Sequence, residues 1–318
     1  MEVSEKGSTS INKGNFISRF FRKKMRNEAP LHMMLIPGLT ILFIFNYLPM
    51  FGIVMAFQNY RPARGILGSE WVGLDNFRAL ISFPDTAQIV FNTAIIAAGK
   101  IILNLIVPVI FALLINEVRK IWFLKGVQTI IYLPNFISWV ILGGVFIDLL
   151  SPSTGLVNEV VKAFGHEPIF FLGDNDWFRR TIFATDVWKN FGYSTIIYFA
   201  ALTGIDGALY EAAAIDGANK WKQTWHITVP GIMPIVVVMT ILSLGNVLNA
   251  GFDQIFNLYN PAVYKTGDII DTFVYRLGFQ QAQYSFSTAI GLFKSIISLV
   301  LTSLSYWFAY KFSNFRIF

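Results

Sequence analysis

The chain has 318 residues, 54% of them apolar and 14% charged, with a mean hydropathy of +0.54, more apolar surface than one soluble domain can bury. This excludes a water-soluble globular protein and points to a polytopic membrane protein. The net charge of +6 sits largely in the first 33 residues, so positive-inside topology accounts for it without nucleic acid, and the absence of cysteine removes disulfides, thiolate metal sites and cysteine nucleophiles.

Residues 1–33 form a basic arm in which Lys6, Lys13, Arg19, Arg22, Lys23, Lys24 and Arg26 alternate with Phe16, Phe20 and Phe21, a pattern suited to an anionic membrane surface. The opening ten residues hold no apolar core of the signal-peptide kind, so no cleavage is expected. The first span, residues 34–57, is uncharged and long enough for a ~30 Å hydrocarbon core. A loop through Asp85 then carries Trp71-Val72-Gly73-Leu74-Asp75-Asn76-Phe77. The second span takes residues 89–115 with Lys100 its one charge, and Glu117, Arg119, Lys120 and Lys125 make a short turn. The third covers 127–147, with Pro134 read as a kink whose freed carbonyl neighbouring helices satisfy. A polar segment, 151–180, leads to the fourth span, 181–204, where Asp186 and Lys189 read as a local ion pair three residues apart. The fifth span runs from Pro230 to Phe252 without charge. A polar loop through Tyr284 follows, then a sixth span, 286–310, containing Lys294, and a tail, 311–318.

Six spans place both ends on one side. The arm, the 116–126 turn, the 205–230 loop and the tail hold fourteen Lys and Arg against eight in the three opposite loops. The expectation is therefore an all-α membrane protein with six transmembrane helices over residues 34–310 and both termini cytoplasmic.

Between the fourth and fifth spans lies Glu211-Ala212-Ala213, then three residues, Asp216 among them, then Gly217, nine more, and Ile227-Thr228-Val229-Pro230. Strong helix formers over 208–215 predict a helix that Asp216-Gly217 ends, with a second short helix after it and Pro230 closing the stretch. Trp221 and Trp225 share one helical face. This spacing resembles the EAA loop of permease subunits in bacterial ABC importers, with Val229 where leucine is usual. The resemblance implies a type I importer permease fold in which Glu211, Ala212, Ala213, Asp216, Gly217 and Pro230 belong to a coupling helix seated on a cytoplasmic ATPase. Small alanines allow close approach, a carboxylate offers arginine a partner, and Gly217 permits positive φ.

In the fifth span Ser243, Asn246, Asn249 and Asp253 recur at helical spacing, and Asn257 extends the same face. Such a stripe is costly in lipid unless paired or wetted. It suits a path for a hydroxyl-rich solute beside Phe252 and Phe256, and it equally suits interhelical hydrogen bonding. Lys294 has no carboxylate within a turn of it and is expected to face a cavity, a partner subunit or Asp253, while no partner can be named for Lys100.

The usual catalytic signatures are missing. The fragment Ala98-Gly99-Lys100 lacks the earlier glycine of an ATP-binding loop, His32, His166 and His226 are scattered with no HExxH, and no G-x-S-x-G occurs. No catalytic residue, metal site or bound cofactor is expected in this chain.

The runs Asn260 to Asp268, Asp271 to Arg276 and Ala289 to Ser295 narrow the resemblance to the polysaccharide and oligosaccharide branch of carbohydrate importers, the branch that includes the alginate importer. It implies a second homologous permease, two ATP-binding subunits that hold the ATP and Mg²⁺, an extracytoplasmic solute-binding protein, an oligosaccharide solute and a bacterial inner-membrane location. A peptide or amino acid solute, or a membrane-embedded sensor or enzyme, are the rival readings. A catalytic pair facing one cavity would favour the enzyme.

Overall fold

The computed structural model describes residues 30–313 except Arg119 and Asn246, so most of the basic arm and the last five residues lie outside the described part. The chain divides into two units, 1–54 and 55–318. The first is described through helix α1, Pro30–Phe57, which continues past the unit boundary. A π turn at Phe43–Tyr47 precedes Pro49, where Leu48 N–H reaches the Phe43 carbonyl. A proline cannot donate to the usual carbonyl, and widening the preceding turn absorbs the missing bond.

The second unit starts with a two-residue antiparallel pair, β1 (Gln58–Asn59) against β2 (Glu70–Trp71), with Gln58 opposite Trp71. Asn76 locks this turn by donating to the carbonyls of Ala56 and Gln58 at 2.9 and 3.0 Å. Helix α2 (Asp75–Ser82) leads to α3 (Thr86–Asn116), then α4 (Ile121–Tyr132) and α5 (Trp139–Leu149). Next come α6 (Leu156–Ala163), α7 (Asn175–Thr203), α8 (Gly207–Ile215) and the continuous helix α9 (Lys220–Leu244). The last are α10 (Phe252–Leu258), α11 (Ile270–Tyr275) and α12 (Tyr284–Ser313). Among the described residues four helices are long and apolar enough to cross a membrane, or up to six if each of two bent pairs is one span. Helices α3 and α7 form the spine. Ile96 and Ile182 meet Ile255 and Val263 in one core cluster, and Ala112, Tyr198 and Leu202 meet Ile232 in another. A third joins Leu80 and Ile89 to Phe273 and Ile290, tying α11 and α12 to the start of α3.

Three expectations need correction. The third span is broken, not kinked: a 3₁₀ turn at Leu133–Phe136 separates α4 from α5, which lie 103° apart. Pro134 together with Asn135 and the extended Ile137 ends one helix, and Ser138 restarts the next by accepting from Ile141 N–H at 3.4 Å. The short helix expected after Gly217 is the first part of the fifth span itself. A π turn at Thr224–Thr228 carries the helix through Pro230, so that residue does not close the stretch. The fifth span's helix stops at Leu244 instead of reaching Phe252. Gly251, at φ +85°, turns the chain left-handed ahead of α10, and the Asn249 Oδ1 accepts its N–H at 3.2 Å.

Candidate functional site

Helix α8 is held at both ends by local bonds. Asp206 accepts from Ala208 N–H at 2.9 Å at the start. At the end Ala218 N–H reaches the Ala213 carbonyl at 2.8 Å and Gly217 N–H the Ala214 carbonyl at 3.1 Å. With Gly217 at φ +77° this is a Schellman stop, and it accounts for the glycine. Asn219 then caps α9 through Lys222 N–H at 2.9 Å. Glu211, Ala212, Asp216 and Gly217 are exposed, and α8 buries no residue against the rest of the chain. Ile215 is 86% exposed. The structure thus brings Glu211, Ala212, Ala213, Asp216 and Gly217 onto one short helix and its stop, and leaves Pro230 within α9.

The predicted polar stripe does not lie along one helix. Ser243 is half-buried near the end of α9, Asn246 falls outside the described residues, Asn249 sits in the break, and Asp253 is exposed on α10. Asn257 donates to the Asp253 carbonyl at 2.7 Å and lines a separate cavity of about 340 Å³ with Phe170, Tyr259 and Asn260. Burial, reinforced by Tyr264, pushes the Tyr259 phenol there up to about 12, so it remains a neutral donor. The break instead opens a cavity of about 400 Å³ lined by Leu248, Asn249, Phe252, Asp271, Lys294 and Ser298. Of the predicted path residues, it unites Asn249 and Lys294.

Lys294 pairs there with Asp271, Nζ to Oδ1 2.5 Å, and not with Asp253. Sequence reasoning missed Asp271, because 23 residues and a whole loop separate it from its partner. Ser298 could have been found, since it follows Lys294 by one helical turn. Next to the cavity, Phe252 stacks on Phe256 at 5.2 Å, Phe256 meets Tyr275 at 4.8 Å and Tyr275 stacks on Phe279 at 5.4 Å. An amide, a charge pair, a hydroxyl and apolar ring faces around one hollow can hold a polyhydroxylated ligand by hydrogen bonds and ring contact.

Two further lysines are buried in the spans. Lys100 of α3 lies 3.3 Å from Asp186 of α7, which also accepts from Asn104 at 2.7 Å. The expected local pair of Asp186 with Lys189 is therefore overturned, and Lys100 has its partner. Lys189 donates to the carbonyls of Pro134, Asn135 and Ile137 at 3.2, 2.8 and 2.7 Å. A neighbouring helix does satisfy the carbonyls freed near Pro134, through a lysine side chain.

A multi-span helical protein with broken spans, a capped and unburied helix between two spans and a polar hollow beside a helix break is a membrane transport subunit in its architecture. Residues 104–314 match the binding-protein-dependent transport system inner membrane component family, and the chain belongs to it. Over 291 residues it is 44% identical to the polygalacturonan/rhamnogalacturonan transport system permease protein YteP of Bacillus subtilis (strain 168), covering 92% of this chain and 91% of that one. Its fold superposes with a TM-score of 0.84, at 37% identity and covering 92% of this chain and 99% of the other, on a chain of a bacterial ABC transporter involved in the import of the acidic polysaccharide alginate. A chain of a bacterial alginate ABC transporter in complex with alginate pentasaccharide-bound periplasmic protein gives 0.81, at 37% identity and covering 89% of this chain and 94% of that one. The chain is thus an ABC importer permease subunit of the carbohydrate type, with the type I permease fold and a multi-pass inner-membrane location.

Proposed function

We propose that this chain is one of two permeases in an importer for uronate-containing oligosaccharides. The observation that carries the reading is the cavity at the α9–α10 break, where the Lys294–Asp271 pair stands beside Asn249. A lysine with a movable carboxylate partner can exchange it for a sugar carboxylate, while the amide and serine meet hydroxyls. The acidic polysaccharide solute named for the similar importer, and the polygalacturonan named for YteP, agree in chemistry with that arrangement.

In this reading a solute-binding protein delivers the sugar on the outer side, as the family's description supports. The exposed α8 helix, with Glu211 and the Gly217 stop, docks on one of two ATPase subunits that bind ATP and Mg²⁺, and both termini are cytoplasmic. Hydrolysis belongs to those subunits, and this chain converts ATPase closure into outward opening of the cavity.

The test is uptake into proteoliposomes of the assembled importer, supplied with its binding protein loaded with tri- and tetragalacturonate or with neutral galactose oligomers. Lys294→Gln is expected to raise the half-saturating concentration of the acidic oligomers about tenfold, equivalent to roughly 1.4 kcal/mol. Transport of neutral oligomers by the wild type with no uptake of acidic ones would overturn the substrate assignment.

A further inference from the structure

The strongest unassigned feature is the Lys100 ammonium, which lies inside the protein and bridges three segments. It donates to the Ala250 carbonyl at 2.7 Å, forms a short hydrogen bond to Gln254 Oε1 and faces Asp186 Oδ1 at 3.3 Å. An ammonium has three N–H groups, and these are three acceptors. One belongs to the α9–α10 break, one to the start of α10 and the third to α7. Gln254 in turn donates to the Ile182 carbonyl and the Thr185 hydroxyl, both at 2.8 Å, so the break is stitched to α7 a second time. Both Lys100 and Gln254 are buried.

Among its described residues the break is tied by backbone bonds at its start, Gly245 N–H to the Ile241 carbonyl and Val247 N–H to the Leu244 carbonyl, both at 3.3 Å. Between Leu244 and Phe252 the chain leaves the helix, and Gly251 adopts φ +85°. The glycine is needed twice over, because a Cβ there would come within 2.5 Å of Lys100 Nζ. Asn249 and Phe252, the residues on either side of Ala250 and Gly251, both line the cavity.

We infer that Lys100 is a positioning residue for solute binding: it fixes the Ala250–Gln254 backbone and thereby sets where Asn249 and Phe252 present themselves in the cavity. The inference rests on the reading of that cavity as the solute path. Lys100 itself does not line the cavity and touches no solute. A buried ammonium suits the role because it holds a carbonyl, an amide and a carboxylate simultaneously at fixed directions, which no apolar side chain could do.

The experiment uses the whole importer in proteoliposomes with trigalacturonate on its binding protein. Lys100→Met with Asp186→Leu removes both buried charges together, so no unpaired ion is left to unfold the protein. Gly251→Ala disturbs the same joint from the other side and keeps the ion pair. Each is expected to raise the half-saturating concentration at least fivefold while basal ATPase activity and subunit stoichiometry stay within twofold. Because the chain contains no cysteine, Asn249→Cys gives a direct second readout. Its rate of modification by a water-soluble maleimide is expected to change severalfold in either background. Half-saturation and labelling rate both unchanged in the assembled Gly251→Ala importer, or in the double variant, would overturn the inference. Asn249→Ala separates the two levels of the argument. If it leaves half-saturation untouched, the cavity reading fails, and if it shifts half-saturation while the Lys100 and Gly251 variants do not, only the positioning role fails.

Discussion

Replacing Lys189 with methionine tests how the broken third span is held. In the folded chain its ammonium takes the carbonyls of Pro134, Asn135 and Ile137, at 3.2, 2.8 and 2.7 Å, and the Pro134 oxygen also accepts the Ile137 N–H at 3.2 Å. Each carbonyl left unsatisfied in a buried setting costs about 1–3 kcal/mol. Methionine fills a similar volume and has no charge to desolvate, so the low end of that range applies to each of the two oxygens that lose their partner, Asn135 and Ile137, about 2 kcal/mol in all. At about 2–4 °C per kcal/mol, the figure for domains of about 150–250 residues, the melting temperature should fall by about 4 °C or more. The assay is thermal unfolding of the assembled importer in lipid nanodiscs followed by tryptophan emission. Trp139, whose ring centre lies 5.7 Å from the Lys189 Nζ, reports on the break itself. Lys189→Arg keeps a fork of donors and should lose less than half as much. A Lys189→Met protein that melts within 1 °C of the wild type would refute the claim that this lysine supports the break.

Other outcomes follow from the same geometry. Glu211→Lys and Gly217→Asp should each lower uptake more than tenfold while the membrane holds a normal amount of protein, judged by immunoblot beside the transport assay; the second places a Cβ at φ +77° and weakens the Schellman stop by about 1–2 kcal/mol. Asp206→Ala removes the N-cap of α8 at a cost of about 1 kcal/mol, and hydrogen exchange of the Ala208 to Ala214 amides should quicken about fivefold. Asp268, which is 4% exposed and pairs with Arg276 at 2.5 Å while accepting from Thr272 at 2.7 Å, should lower the melting temperature by several degrees when changed to asparagine.

The spans were legible because an apolar run of some twenty residues has few other uses. Residues 34–57 and 89–115 match α1 and α3 to within a few positions. The helix of the EAA segment was legible too, since alanine propensity and an Asp-Gly stop act within a few residues. What the sequence did not show was where spans break. Pro134 signals a kink as readily as a stop, and only the extended backbone at Ile137 and Ser138 decides for a stop. In the fifth span the turn signals were present as Gly245, Asn249 and Gly251, but the regular recurrence of polar residues from Ser243 to Asp253 imitates a helical stripe. Helical periodicity assumes a continuous helix, and Gly251 at φ +85° removes that assumption. Pairing over long separations, as between Lys294 and Asp271 or Lys100 and Asp186, is set by tertiary packing and leaves no local trace.

The three lysines within the spans look alike in sequence and do different work, and the difference supports the transport reading. A charge in a span needs partners worth several kcal/mol, and a helix break supplies them because it frees carbonyls that no N–H in lipid can reach. Lys189 meets the break in the third span with three carbonyls, and Lys100 meets the break after the fifth with one carbonyl, an amide oxygen and a carboxylate. Both are buried, and their donors are occupied. Lys294 differs on each count. It pairs with the side-chain carboxylate of Asp271, its side chain is 21% exposed, and it faces a hollow large enough for several waters or a sugar ring. Lys189 gives its bonds to backbone carbonyls, and Lys100 is enclosed with a carbonyl, an amide oxygen and a carboxylate, so neither can release them without disturbing a break, whereas a lysine held by one part-exposed carboxylate can trade that partner for a solute. The two buried lysines therefore hold the scaffold of the broken helices, and on the proposed reading of the cavity Lys294 is the one that would meet the solute.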